Sequence, residues 1–186
     1  CGSGYIDLLS EMLDAGIIDK SGKIIIQHER VRQTDNDKEF VVCFKDQADG
    51  AADIVINESD IENLKRSKGA IYSAVSILVK HLGLDFSVIH KIYIAGGFGT
   101  YLDIEKAIRI GLLPDLKRSK FVFIGNSSLE GAKQILLTNQ AMDTANMIAS
   151  KITPFELSLE PGYMEEYSQA LFFPHTDLEK FPTVKF

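Results

Sequence analysis

The apolar residues of the first sixteen positions recur at helical spacing. Tyr5, Ile6, Leu8, Leu9, Met12 and Leu13 share one side and Asp7, Glu11 and Asp14 the other, which predicts an amphipathic helix. Ser3 is placed to cap its start and Gly16 to stop it in a left-handed turn. The pattern then changes. Residues 24–26 and 40–44 are short β-branched or aromatic runs separated by the polar stretch 29–39, predicting a hairpin-like pair with a long exposed connection. A third run, 53–56, ends at Asn57-Glu58-Ser59. The sequence Ser59-Asp60-Ile61-Glu62 has the form of a capping box, and the helix it opens is predicted to reach Gly83. Along that helix Ile61, Leu64, Ile71, Val75, Leu78 and Leu82 keep a three-four spacing that predicts one buried seam.

A strand–turn–helix unit follows twice. Residues 91–95 predict a strand, Gly96-Gly97-Phe98-Gly99 a glycine turn, and 103–110 a helix capped by Asp103 and stopped by Gly111 and Pro114. Residues 120–124 predict a second strand, Gly125-Asn126-Ser127-Ser128 its turn, and a helix then runs to about Thr138. This succession predicts an α/β fold with ligand loops at the strand C-termini. In the last third, 141–151 is predicted helical, 155–159 an edge strand and 164–172 a short helix. The aromatic, proline-containing tail 173–186 is expected to pack as an irregular strap.

Composition narrows the function classes. The 186 residues are 45% apolar, enough for a packed core and too many for a disordered chain. The net charge of −6 argues against a nucleic-acid binder, and the apolar runs are too short to cross a membrane. Two cysteines build no disulfide framework, so a reducing, cytoplasmic setting is expected. The chain starts at Cys1 without a methionine, which suggests a piece of a longer protein.

Three places could carry chemistry. Lys68 occupies the position of the apolar seam between Leu64 and Ile71, beside Gly69. A cation there suits an anionic or polar ligand, or else its stem packs while its ammonium reaches water. The glycines of Gly96-Gly97-Phe98-Gly99 allow backbone N–H groups to approach a phosphate, ribose or base, or serve turn geometry alone. Cys1-Gly2-Ser3-Gly4 opens a helix whose unpaired N–H groups suit a phosphate, or is a plain cap. His28, His81, His90 and His175 show no metal-ligand spacing.

Cys1-Gly2-Ser3-Gly4-Tyr5-Ile6-Asp7-Leu8 resembles a segment of the reductive activators of corrinoid proteins. Asp60-Ile61, Lys68-Gly69-Ala70-Ile71, Ala95-Gly96-Gly97-Phe98-Gly99 and Gly125-Asn126-Ser127-Ser128-Leu129, with Gly131-Ala132, match that family's later motifs in the same order. The likeness covers roughly residues 1–135 well and the rest loosely. It implies part of an actin-like ATPase (ribonuclease H-like) subdomain, an α/β fold with a β-hairpin insertion. It also implies that residues 1–186 form one domain at the C-terminal end of a larger activator. That activator would use ATP with Mg²⁺, and an iron–sulfur cluster in an N-terminal domain, to return a corrinoid protein or corrinoid methyltransferase to Co(I).

On this likeness Gly96, Gly97, Phe98 and Gly99 resemble the superfamily's adenosine motif. Lys68 falls on the helix that lines adenine and ribose, and Gly2-Ser3-Gly4 lies just beyond the second phosphate motif. The sequence departs from the pattern in lacking both Asp-x-Gly-Thr motifs; only Ala48-Asp49-Gly50 comes near. The phosphate side of the nucleotide cleft and the cluster cysteines would therefore lie outside these residues, and the chain alone is expected to be inactive. Two other expectations stand beside this one. One is an ATPase activator of another branch of the superfamily. The other is a non-catalytic dimerisation or docking module, offering 29–39 and the aromatic tail (Phe172, Phe173, Phe181, Phe186) as contacts and leaving a homodimer open.

Overall fold

The computed structural model describes residues 2–35, 37–48, 50, 52–97 and 101–185. Cys1, Asp49, Phe98, Gly99 and Phe186, which figure in the expectations above, lie outside the described residues. The chain begins with α1 (Gly2–Asp14), whose Ile6, Leu9 and Met12 are buried as their spacing predicts. Ser3 is not its cap: the helix is already under way at Gly2, and Ser3 is a buried first-turn residue. Gly16 ends it at φ +66°, the left-handed conformation only glycine adopts freely.

The hairpin forms one step later than the hydrophobic runs suggest. Strands β1 (Val31–Gln33), β2 (Lys38–Cys43) and β3 (Ile54–Asn57) make an antiparallel sheet in that order. The expected exposed connection thus contains β1 and the tight turn after it, where the Thr34 amide donates to the Asp37 carbonyl at 2.8 Å. Ile24 contributes only an isolated bridge to Ile18 and drops into the core instead. A polar three-residue strand such as Val-Arg-Gln carries no alternation long enough to stand out.

Helix α2 (Glu58–His81) is the longest element. Its capping box is Asn57 with Asp60, two positions before the expected one: the Asp60 amide donates to Asn57 Oδ1 at 2.7 Å and the Asn57 amide to Asp60 Oδ2 at 3.3 Å. The Ser59 hydroxyl donates to Asp37. The expected seam holds at Ile61 and Lys68 and is left beyond them. Ile61, Lys68, Gly69, Tyr72, Ser73, Ser76 and Ile77 are buried, whereas Ile71 is 51% and Leu82 61% exposed, with Val75 and Leu78 exposed between them. Both stripes keep helical spacing. The inner one wins because its small residues admit a neighbour: a Cβ on Gly69 would stand 3.3 Å from the Ala170 carbonyl oxygen of α6 (Tyr163–Ala170).

The β4 (Ile92–Ile94) and β5 (Phe121–Phe123) strands pair in parallel, Ile92 opposite Phe121 and Ile94 opposite Phe123. Between them runs α3 (Ile104–Arg109), capped by Asp103 as predicted and stopped at Gly111. After β5 come α4 (Ser127–Leu137) and α5 (Asn139–Ala149), an exposed helical pair with no buried residue in either. The expected edge strand at 155–159 is a single 3₁₀ turn, Leu157–Leu159, with no strand partner. No helix among the described residues is long and apolar enough to cross a membrane.

Beyond α6 the tail forms the expected strap, but Phe173 and Phe181 point inward. Phe173 joins the core built by Ile6, Leu9, Ile24, Ile61 and Ile110. Phe181 joins Tyr72, Ile108, Phe121 and Ala170 in a second cluster. A docking surface made of Phe173 and Phe181 is therefore ruled out; both are buried.

Candidate functional site

Helices α1 and α2 pack so that the start of the first lies beside the early turns of the second. The result is a cleft of about 400 Å³ lined by Gly2, Tyr5, Ile6, Asp60, Asn63, Leu64, Ser67, Lys68, Ile71 and Leu112. That volume is in the range of small-molecule sites. Its apolar wall comes from Ile6, Leu64, Ile71 and Leu112. Its polar edge comes from one face of α2, where Asp60, Asn63 and Ser67 recur at helical spacing.

The polar edge is well fixed. Asp60 is held by its capping box with Asn57, and the Ser67 hydroxyl donates to the Asn63 carbonyl at 3.0 Å. Tyr5 faces Asp60; burial, and then the carboxylate beside it, raise its phenol above its ordinary pKa. A carboxylate, an amide and a hydroxyl beside an apolar wall offer acceptors and donors to a sugar or base, with flat apolar contact for its ring. The cleft also receives Gly2, the first residue of α1.

Lys68 is placed in neither of the two ways its sequence position suggests. It has 0% exposure, and its Nζ donates to the Phe172 carbonyl and, at 2.8 Å, to the Pro174 carbonyl. The ammonium also lies 5.3 Å from the Phe173 ring centroid. Burial pulls its pKa well below lysine's usual value, and Lys65 adds to this. The stem therefore forms part of the cleft wall while the head is bound to the strap.

Gly96 and Gly97 do not line this cleft. They follow β4, where the Gly96 amide donates to the Gly125 carbonyl at 2.7 Å and so joins the turns after β4 and β5. Gly96 has φ +96°, and around a Cβ built on Gly97 there is nothing within 4 Å. Asn126 caps α4 there by accepting from the Leu129 amide at 3.0 Å. The structure thus gathers Gly2 and Lys68 at one cleft, and Gly96 and Gly97 at the carboxyl ends of the parallel strands.

A second polar cluster had no signal in the sequence. Glu166 of α6, 5% exposed, accepts from Ser76 at 2.9 Å, from Lys80 at 3.1 Å and from Lys180 at 2.8 Å. His175 Nε2 stands 3.7 Å away. Burial alone would raise the Glu166 pKa, but the contacts with His175, Lys180, Lys80 and Ser76 hold it well below the usual carboxylate range. Five residues spread over more than a hundred positions meet here, and no local pattern announces them. Asp60, Asn63 and Ser67 were legible in principle, because they share a helical face with Lys68. Among the described residues, no group of three or more His, Cys, Asp or Glu is arranged to hold a metal ion.

Three comparisons bear on this architecture. A family model described as the C-terminal domain of RACo, the ASKHA domain, matches residues 1–185. A solved structure described as a reductive activator for corrinoid, iron–sulfur protein superposes with a TM-score of 0.93 at 47% identity, covering 99% of this chain and 30% of that one. Among curated proteins, the corrinoid activation enzyme RamQ of Eubacterium limosum is 29% identical over 182 residues, 93% of this chain and 31% of its own length. The [Co(II) methylated amine-specific corrinoid protein] reductase of Methanosarcina barkeri is 29% identical over 163 residues, 85% of this chain and 26% of its own. The chain thus spans less than a third of the length of each relative.

Proposed function

This chain belongs to the family of RACo C-terminal ASKHA domains, and from that membership we propose that it serves in the reductive activation of a corrinoid protein. It would do so as the C-terminal part of a longer, ATP-using activator that returns Co(II) to Co(I). The relatives' names support corrinoid activation. The exposed apolar stripe of Ile71, Val75, Leu78 and Leu82 supports packing within a longer polypeptide.

Within that role the cleft between α1 and α2 takes the nucleoside part of the nucleotide. The observation that carries this is the donor set: Asp60, Asn63 and Ser67 along one edge of an apolar wall, with Gly2 at the far end. This set fits a sugar and base. It does not fit a triphosphate, because the one lysine at the cleft is bound to backbone carbonyls. The Mg²⁺ and the β- and γ-phosphates would be held by residues preceding this chain. Gly96 and Gly97, open at the ends of β4 and β5, offer backbone to the same nucleotide from the neighbouring strand ends. When bound, ATP supplies the free energy that makes electron transfer to Co(II) favourable. The residues here bind and orient it.

Calorimetric titration of the full-length activator with ATP and Mg²⁺ tests the cleft. Binding that weakens in Asn63→Ala and Gly97→Val, with the corrinoid reduction rate falling in parallel, supports it; unchanged affinity in both variants removes it.

A further inference from the structure

The strap that follows α6 is hydrogen-bonded to the cleft lining through Lys68. Lys68 forms part of the cleft wall, and its ammonium is enclosed by the Phe172 and Pro174 carbonyls and the Phe173 ring. No carboxylate among the described residues pairs with it, and a buried cation is costly unless dipoles such as these carbonyls hold it, so its position depends on the strap staying docked. The strap is docked at several other points. The Phe173 amide donates to the Lys20 carbonyl at 2.9 Å, Lys180 binds Glu166, and the Thr183 amide and hydroxyl both bind Asp115 at 2.7 Å.

We propose that Lys68 is a positioning residue through which the C-terminal strap and the cleft are coupled: the docked strap sets the cleft wall, and a ligand filling the cleft tightens the strap. The proposal rests on the cleft being the nucleotide's site. Lys68 makes no contact with the ligand through its charge. It transmits a packing state, because a shift of its stem in the cleft moves an ammonium held by two fixed carbonyl acceptors. Linkage makes the effect reciprocal, so loosening the strap weakens the ligand by the factor with which the ligand tightens the strap.

Amide hydrogen exchange on the full-length activator, with and without saturating ATP and Mg²⁺, tests this. The amides of Phe173, Thr176 and Val184, bonded to Lys20, Gln169 and Phe181, should slow by roughly tenfold on ATP binding, within the usual range for coupled sites. The Val41 amide in the hairpin sheet should not change. In Lys68→Met the ATP-induced slowing should vanish and affinity fall by a similar factor. Thr183→Val, at the exposed end of the strap, should loosen the same amides and weaken ATP several-fold, which keeps the test open should Lys68→Met not fold. ATP binding that leaves the three amides unchanged overturns the coupling while sparing the cleft. Absence of ATP binding removes the cleft assignment, and the coupling with it.

Discussion

The Nζ of Lys68 donates to the carbonyl oxygen of Pro174 at 2.8 Å, joining residues 106 positions apart. With the bond to Phe172 it fastens the last segment of the chain to the middle of its longest helix. Removing the donor takes this partner from the buried Pro174 carbonyl and from the part-buried Phe172 carbonyl. Lys68→Met should therefore destabilise the fold by about 2–4 kcal/mol, since each unsatisfied buried group costs about 1–3 kcal/mol and the relieved desolvation of the ammonium offsets part of that. Chemical denaturation measures it, and a loss below about 1 kcal/mol would show that the strap does not depend on this clamp.

Gly111 and Gly97 should respond very differently to the same substitution. A Cβ on Gly111 would lie 2.0 Å from the Pro174 carbonyl oxygen, at φ +75°, so Gly111→Ala must push the strap away. A loss of at least about 3 kcal/mol is expected, because strain and lost packing add. Around Gly97 there is open space, so Gly97→Ala should stay within about 0.5 kcal/mol of the parent, as substitutions in open surroundings do. Thermal melts of the two variants side by side would distinguish them.

Glu166 should give the fold an acid-sensitive component. Its pKa in the folded protein lies below its unfolded value near 4.5. Its contribution is therefore fully present above that value and is lost as pH falls through the folded one, because the unfolded chain takes up the proton first. Glu166→Gln should cost about 2–3 kcal/mol at pH 7, the range for bonds to a charged group with partly exposed lysine partners. The variant should also show a flatter decline in stability below pH 4.5 than the parent. Denaturation curves at pH 7, 5 and 3.5 would show the two converging on acidification; parallel curves would mean that Glu166 carries no such linkage.

In the cleft, Asn63→Ala should weaken nucleotide binding by about tenfold, the equivalent of one good hydrogen bond. Stability should barely move, because Asn63 is exposed and the carbonyl that Ser67 uses belongs to its backbone, which alanine keeps. Titration and melting of the same preparation separate the two effects.

Most element identities were legible because their causes are local. Asp103 caps α3, Gly16 and Gly111 stop helices, and the two strand–turn–helix units follow their apolar runs. What stayed illegible depended on distant partners. The inner face of α2 was hidden because two stripes of that helix share one period, and the choice between them was made by Ala170, a hundred positions later. The clamp on Lys68 and the cluster around Glu166 were hidden for the same reason. Of the cleft, Lys68 and the glycine opening of α1 could be singled out, while Asp60, Asn63 and Ser67 emerged once α1 and α2 were seen side by side.

The inward-facing strap also bears on how the chain is made. Phe173 completes a core begun by Ile6 and Leu9, and Phe181 completes the one around Tyr72 and Ile108. During synthesis these helices leave the ribosome long before the two rings that close them. The nascent chain thus carries an unfinished interior until Phe173 and Phe181 emerge, and a ribosome stalled before Phe173 would release a product with both interiors open to chaperones and proteases.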